Sequence, residues 1–206
     1  MRAPRAALAV ALLAACACSR GGDAGRQAFG GIVITPGIPK PDFVLTDMQG
    51  RPFDFRAETR GRVTLLFFGY THCPDVCPLQ MANIAAALKK TDPSVRQAVA
   101  VVFVTTDSVR DTPQRLRQWL GGFDSTFVGL TGRLERVNDI QARTRFLPRA
   151  VPEQEGSTYT IAHSAVVLAF TADDSAHVLY PSGVQPTAWA ADLKRLVEVG
   201  PPHPKP

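Results

Sequence analysis

Val63-Thr64-Leu65-Leu66-Phe67-Phe68-Gly69-Tyr70-Thr71-His72-Cys73-Pro74-Asp75-Val76-Cys77-Pro78 is the stretch on which the reading of this chain turns. Val63 to Tyr70 is a continuous apolar run, the pattern of a strand buried on both faces. Beyond the cysteines, Leu79 to Lys90 sets Met81, Ile84, Ala85 and Leu88 at helical spacing. The segment Gly69 to Pro78 therefore joins a buried strand to a helix, at the strand edge where open α/β sheets place ligands. Pro78 disfavours helical geometry at Cys77 and suits the first helical position. Cys77 then falls at or near the N-cap, with Cys73 in the loop before it. Free backbone N–H groups and the helix dipole favour the thiolate over the thiol there.

Working outward, Asp42 to Asp47 reads as a short strand that turns through Met48-Gln49-Gly50-Arg51 into Pro52-Phe53-Asp54-Phe55, a hairpin. Downstream, Ala98 to Thr105 is another apolar strand. Thr112-Pro113 gives an N-cap and a proline at the first helical position, opening a helix through Leu120. Phe127 to Leu130 reads as a strand, Arg133 to Phe146 as a helix and Pro148 to Ser157 as a polar loop. Tyr159 to Thr171 and Val178 to Pro181 read as strands around the turn Ala172-Asp173-Asp174-Ser175, and Pro186 to Val199 as a closing helix. Alternating strands and helices argue for an α/β domain with a mainly parallel central sheet flanked by helices. With the N-terminal hairpin and the final ββα, this is the order of a thioredoxin-like fold.

The chain has 206 residues, 45% apolar and 20% charged, which suits one domain with a proper core. Arg2 and Arg5 precede an uncharged apolar run, Ala6 to Ala15, too short to span a bilayer. This reads as an export signal over residues 1–15. Leu13-Ala14-Ala15-Cys16 resembles a bacterial lipobox, so Cys16 is the expected lipidation site. Ala17 to Lys40, rich in Gly, Arg and Pro, reads as a flexible tether with an r.m.s. span of about 25–30 Å. The domain is expected over 41–199, followed by a disordered tail over 200–206. The expected location is the bacterial cell envelope, lipid-anchored and facing the periplasm. The formal charge of +5 falls to +3 without Arg2 and Arg5, and the remaining cations are scattered among acids. No basic stripe of the kind nucleic acid needs is present.

With Cys16 lipidated and Cys18 in the tether, Cys73 and Cys77 stand alone in the domain. Two thiolates at this spacing can chelate a soft metal or close into a disulfide, and an inert staple across so small a loop adds little stability. The three-residue gap departs from the Cys-x-x-Cys spacing of thioredoxin-type oxidoreductases and leaves room between the sulfurs for an ion. Four histidines are available as a third ligand. His203 lies in the tail, His177 follows a turn, and His72 is next to Cys73, where neighbouring side chains diverge. His163 opens an apolar strand at a junction that faces the cysteine loop in a thioredoxin-like fold. It is either a ligand or a hydrogen-bonded strand-end histidine. Two thiolates and an imidazole suit Cu(I) and accept Cu(II), whereas structural zinc takes four protein ligands.

Phe68 to Pro78 closely resembles the Cys-x-x-x-Cys-Pro signature of the Sco/SenC family of copper-binding proteins. Thr106-Asp107-Ser108-Val109-Arg110-Asp111-Thr112-Pro113 and Tyr159 with His163-Ser164 are similar to two further stretches of that family. The resemblance implies a thioredoxin-like fold and a copper ion held by Cys73, Cys77 and His163. It also implies a metallochaperone, a transfer protein without turnover, that helps assemble the CuA centre of cytochrome c oxidase. The implied partners are the oxidase subunit carrying CuA, a periplasmic copper donor, a thioredoxin-like reductase outside the cytoplasm, and the membrane through the lipid. The alternative is a thiol–disulfide oxidoreductase using Cys73 and Cys77 as a redox disulfide. A thiol peroxidase fits less well, because Gly69-Tyr70-Thr71-His72 lacks the Pro and Thr pattern of peroxiredoxins. Family members often carry an acidic residue before the ligand histidine, and here that position is Ala162. Asp107 and Asp111 read as hydrogen-bonding residues of a loop and helix start, and Thr112 as a cap.

Overall fold

The computed structural model describes residues 28–201 apart from 145, 146, 156 and 157. Strands β1 (Ile32–Pro39), β2 (Val44–Asp47), β3 (Pro52–Asp54), β4 (Val63–Gly69), β5 (Val99–Thr105), β6 (Val128–Thr131), β9 (Val167–Phe170) and β10 (Ser175–Tyr180) form one eight-stranded sheet in the order β1-β10-β9-β4-β5-β6-β2-β3. A separate hairpin pairs β7 (Val151–Glu155) with β8 (Thr158–Ala162). The helices are α1 (Phe55–Glu58), α2 (Val76–Lys90), α3 (Pro93–Ala98), α4 (Pro113–Gly121), α5 (Leu134–Arg143) and α6 (Pro186–Glu198).

Every residue of β4 and β5 is buried, as the apolar runs require. Side chains alternate across the sheet with period two. Val63, Leu65 and Phe67 of β4 join Val99, Val101 and Phe103 of β5 in a core that also takes Met81 and Ile84 of α2, Leu116 and Leu120 of α4, and Trp189 and Leu193 of α6. Leu66 and Phe68 join Val102 and Val104 in the opposite core, with Phe55 of α1 and Val137 and Ile140 of α5. Burying both faces between helices fixes β4 at the centre of the molecule and points its C-terminal end, Gly69, at the cysteine loop. Helix α4 starts as expected, with Pro113 in its first turn and Thr112 Oγ1 accepting the Arg115 N–H at 3.2 Å.

The expected parallel arrangement holds at the centre, where β4, β5 and β6 run parallel; the remaining ladders of the large sheet are antiparallel. The tether expected up to Lys40 ends earlier. Ile32–Pro39 pairs antiparallel with β10, Ile38 and Lys40 are each 3% exposed, and the Gly30 N–H donates to Asp192 Oδ2 at 2.8 Å. Backbone pairing needs only N–H and C=O groups, and β10 supplies an edge for them, so a Gly- and Pro-rich composition did not reveal it. The polar loop expected over Pro148 to Ser157 contains β7, whose side chains from Val151 to Gln154 are exposed and therefore carry no apolar alternation. The single strand expected from Tyr159 to Thr171 is two strands, β8 and β9, separated at His163–Val166. Among the described residues no helix is long and apolar enough to cross a membrane. The expected signal, Cys16 and Cys18, the start of the tether, His203 and the end of the tail lie outside the described residues.

Candidate metal centre

Cys73 and Cys77 are free thiols on the loop and helix that follow β4. Helix α2 begins at Val76 with Asp75 as its N-cap residue, slightly earlier than Pro78 suggested. Cys77 therefore lies inside the first turn, and it is fully buried, while Cys73 is 9% exposed. Space for the Cys77 sulfur is made by Gly69: a Cβ there would stand 2.8 Å from Cys77 Sγ and 3.0 Å from Phe103. A side chain at the end of β4 would occupy the position of the thiol.

His163 comes from the segment between β8 and β9 and meets the cysteines across the strand edge. Its Nε2 is 3.5 Å from Cys77 Sγ, and its Nδ1 is 2.9 Å from the Ser164 carbonyl oxygen. A carbonyl only accepts, so Nδ1 carries the proton and the Nε2 lone pair faces the sulfurs. Orientation through the second ring nitrogen is what a histidine ligand needs. The Ser164 carbonyl provides it without an acid at position 162, and Ala162 itself is exposed. Tyr70 and Phe67 pack their rings edge-on to the imidazole at centroid distances of 5.4 Å and 6.2 Å.

Electrostatics separate the two thiols. The Cys77 S–H and the backbone N–H groups of Asp75 and Cys77 donate to Cys73 and outweigh burial, drawing it down to about 3. Burial, and then the neighbouring Cys73 thiolate, push Cys77 well above the usual thiol range. The surroundings thus set the two thiols apart, favouring the thiolate at the less buried Cys73 and the thiol at Cys77. A soft cation replaces the Cys77 proton and draws both sulfurs as thiolates.

The ligand atoms of Cys73, Cys77 and His163 all lie within 4.8 Å of one another. Atoms about 2.0–2.3 Å from a single ion stand up to about 4.5 Å apart, so one ion reaches all three with little movement. Among the described residues no fourth Cys, His, Asp or Glu joins the group. Two sulfurs and one imidazole nitrogen therefore suit copper better than a closed tetrahedral zinc site.

His72 does not join the cysteines. Its Nδ1 lies 3.2 Å from Thr71 Oγ1 and 3.5 Å from Asp111 Oδ1, so that His72, Asp107 and Asp111 form a second cluster of possible ligands. Its carboxylates already have donors. Asp111 accepts from the Thr71 N–H, the Thr71 hydroxyl and the Thr105 hydroxyl at 2.6–2.8 Å, and Asp107 accepts from Arg110 and from the Tyr159 hydroxyl. This is the hydrogen-bonding role expected for both acids: Asp111 ties the cysteine loop to the end of β5. His177 is less solvated than its turn suggested, 18% exposed with Nε2 2.8 Å from Asp173 Oδ2. Gly69, Tyr70 and Arg110 were not singled out by residue type. Only their place beside the cysteines or on the facing loop could have marked them.

A thioredoxin-like sheet that carries two thiols at a strand-to-helix junction, with an imidazole closing on them from a facing segment, defines a protein built to hold a soft metal or to cycle thiols. The chain belongs to the SCO1/SenC family, whose profile matches residues 36–198. It is 32% identical over 143 residues to the mitochondrial protein SCO2 of Saccharomyces cerevisiae, an alignment covering 68% of this chain and 44% of that protein. The chain thus spans less than half the length of that relative. Among solved structures, Bradyrhizobium japonicum ScoI with copper bound matches with a TM-score of 0.66 and 32% identity, covering 76% of this chain and 98% of that one. The apo Sco1 protein from Thermus thermophilus matches with a TM-score of 0.72 and 29% identity over 84% of this chain and 99% of that one.

Proposed function

We propose that this protein is a copper metallochaperone that holds one ion through Cys73 Sγ, Cys77 Sγ and His163 Nε2 and helps assemble the CuA centre of cytochrome c oxidase. The observation that carries the reading is the meeting of three soft donors from two separate segments within 4.8 Å, with no fourth ligand among the described residues. Low coordination suits a carrier, because an acceptor thiolate can enter while a donor leaves. The copper-bound Bradyrhizobium relative supports the choice of metal. The partners in this reading are the oxidase subunit carrying CuA, a periplasmic copper donor and a thioredoxin-like reductase that keeps Cys73 and Cys77 reduced. Lipidation at Cys16 and a place at the periplasmic face of the bacterial envelope belong to the same proposal.

A second reading, a thiol–disulfide oxidoreductase, is favoured by one observation: two free thiols stand four positions apart, and the less buried, Cys73, is the one whose surroundings favour the thiolate. His163→Ala separates the two, since it spares both thiols. A chaperone strain with this substitution fails to assemble active oxidase at limiting copper and is partly rescued by added copper. A reductase strain is indifferent to the substitution and still needs both cysteines. Normal oxidase assembly at low copper in the His163→Ala strain would overturn copper delivery.

A further inference from the structure

The third ligand follows an arm that the main sheet does not hold. Among the described residues, β7 and β8 pair with each other and no ladder joins them to the eight-stranded sheet. The base of the arm is fixed on α5, where Asn138 Nδ2 donates to the Ala150 carbonyl at 3.1 Å and Asn138 Oδ1 accepts the Ala150 N–H at 2.7 Å. That clamp lies at the open end of the hairpin, just before Val151, which pairs with Ala162.

A different contact sits on β8 itself, further along the hairpin at Tyr159. The Tyr159 hydroxyl donates to Asp107 Oδ1 at 2.8 Å. Arg110 donates to the Tyr159 carbonyl at 3.1 Å, and its guanidinium lies 3.7 Å from the centre of the Tyr159 ring. The same guanidinium is paired with Asp107, whose side chain is 1% exposed, and stands 5.8 Å from the centre of the Tyr70 ring. Tyr70 in turn packs edge-on against His163. One arginine thus joins three pieces of chain: the loop after β5, the cysteine loop and the arm.

We propose that Arg110, Tyr159 and Asp107 are positioning residues that latch the arm to the loop after β5 and so keep His163 Nε2 against Cys77. They touch no ligand atom. Their effect is on coordination number: with the latch closed the imidazole completes a three-donor site, and with it open the two sulfurs remain. A guanidinium suits the task because it stacks on an aromatic ring and hydrogen-bonds in its own plane together, which an ammonium cannot do. Such supporting contacts typically contribute about 10–100-fold in metal affinity. Cu(I) is content with two thiolates, whereas Cu(II) needs the imidazole, so an open latch discriminates between the two oxidation states. The last step rests on the copper reading; the position of the imidazole does not.

The test uses the full chain, with Arg110→Gln and Tyr159→Phe compared with the parent. In the metal-free protein, amide hydrogen exchange reads the arm and 15N NMR reads the His163 ring. The metals alone, Cu(I) and Cu(II), are then titrated against competing chelators. Arg110→Gln is expected to speed exchange in β8 at least about tenfold with β4 and β5 unchanged, and to turn the single His163 tautomer into a mixture. It weakens Cu(II) by at least about tenfold while Cu(I) stays within about twofold. Tyr159→Phe, which keeps the ring beneath the guanidinium, moves every readout in the same direction by less. An unchanged arm and an unchanged His163 spectrum in Arg110→Gln would overturn the latch, and so would equal losses of Cu(I) and Cu(II). If Arg110→Gln also loosens β4 and β5, Tyr159→Phe decides: an unmoved arm there overturns the latch. A parent protein that binds no copper, with the arm still loosened in the variants, sinks the chaperone and leaves the latch standing.

Discussion

At the residue scale, the centre depends on a side chain that is missing. Gly69 ends a strand in which every position is buried, and the volume a Cβ would take is filled by the Cys77 sulfur and the Phe103 ring. Neither neighbour has room to retreat, since Cys77 and Phe103 are both fully buried. Gly69→Ala should therefore cost about 1–3 kcal/mol of stability through overpacking. It should also push Cys77 Sγ off the line to His163 Nε2 and weaken Cu(I) binding. Thermal unfolding and a Cu(I) competition titration check the two effects, and unchanged copper affinity would show that the sulfur has another place to go. The two thiols also differ for reasons that only contact sets: hydrogen bonds lower the Cys73 thiol, while burial raises that of Cys77.

At the scale of elements, β1 changes what counts as the domain. It covers the edge of β10 and brings Ile38 into the core beside Phe55 and Phe170. The chain just before it is tied down by the Gly30 N–H on Asp192, which also accepts the Tyr180 hydroxyl at 3.0 Å. A chain shortened to begin at Pro41 leaves β10 as an open edge and loses the Ile38 burial and the Lys40 contacts. It should be less stable than one that begins at residue 28 by at least about 3 kcal/mol, and more prone to associate through β10. Denaturant unfolding and light scattering of the two chains measure this; equal stability would mean that β1 is an ornament.

At the scale of the whole molecule, one buried lysine joins distant parts of the chain. Lys40 Nζ is 3.0 Å from Asp174 Oδ1 in the β9–β10 turn, and it donates to Thr59 Oγ1 and Thr64 Oγ1 at 3.2 Å and 3.5 Å. It stands 5.7 Å and 5.9 Å from the ring centres of Phe55 and Phe170. Burial raises the Asp174 carboxyl, but hydrogen bonds from Lys40 and Arg56 and their charges outweigh it and hold it below the usual carboxylate range. A lowered folded value means that the stabilisation is complete above the unfolded carboxylate range and is lost as pH falls through the folded value. Asp174 has φ 56°, which Asn tolerates. Asp174→Asn should therefore cost about 2–3 kcal/mol at neutral pH, because it leaves the Lys40 charge buried without its partner. The difference from the parent should shrink toward acid pH, and a pH series of urea midpoints checks this; a constant difference would place the loss in packing instead of charge.

Much of this protein was legible in its residues. The apolar runs of β4 and β5, the helical spacing after Cys77 and the Thr112-Pro113 start all follow from local pattern, because burial on two faces and helix capping are written in neighbouring positions. That Cys73, Cys77 and His163 would come together was legible too, from soft donor types and from the resemblance carried by their surroundings. What lay beyond the sequence was everything that depends on where segments meet. Exposed backbone pairing in β1 and β7 leaves no apolar alternation to read, and a strand broken at His163 looks continuous when its flanks are both β-forming. The close approach of Gly69 to Cys77, the unequal thiols and the arginine that joins the arm to the cysteine loop are contacts between residues far apart in the chain. Only the tertiary structure decides them, because distance and shielding from water, not residue type, determine whether two groups interact.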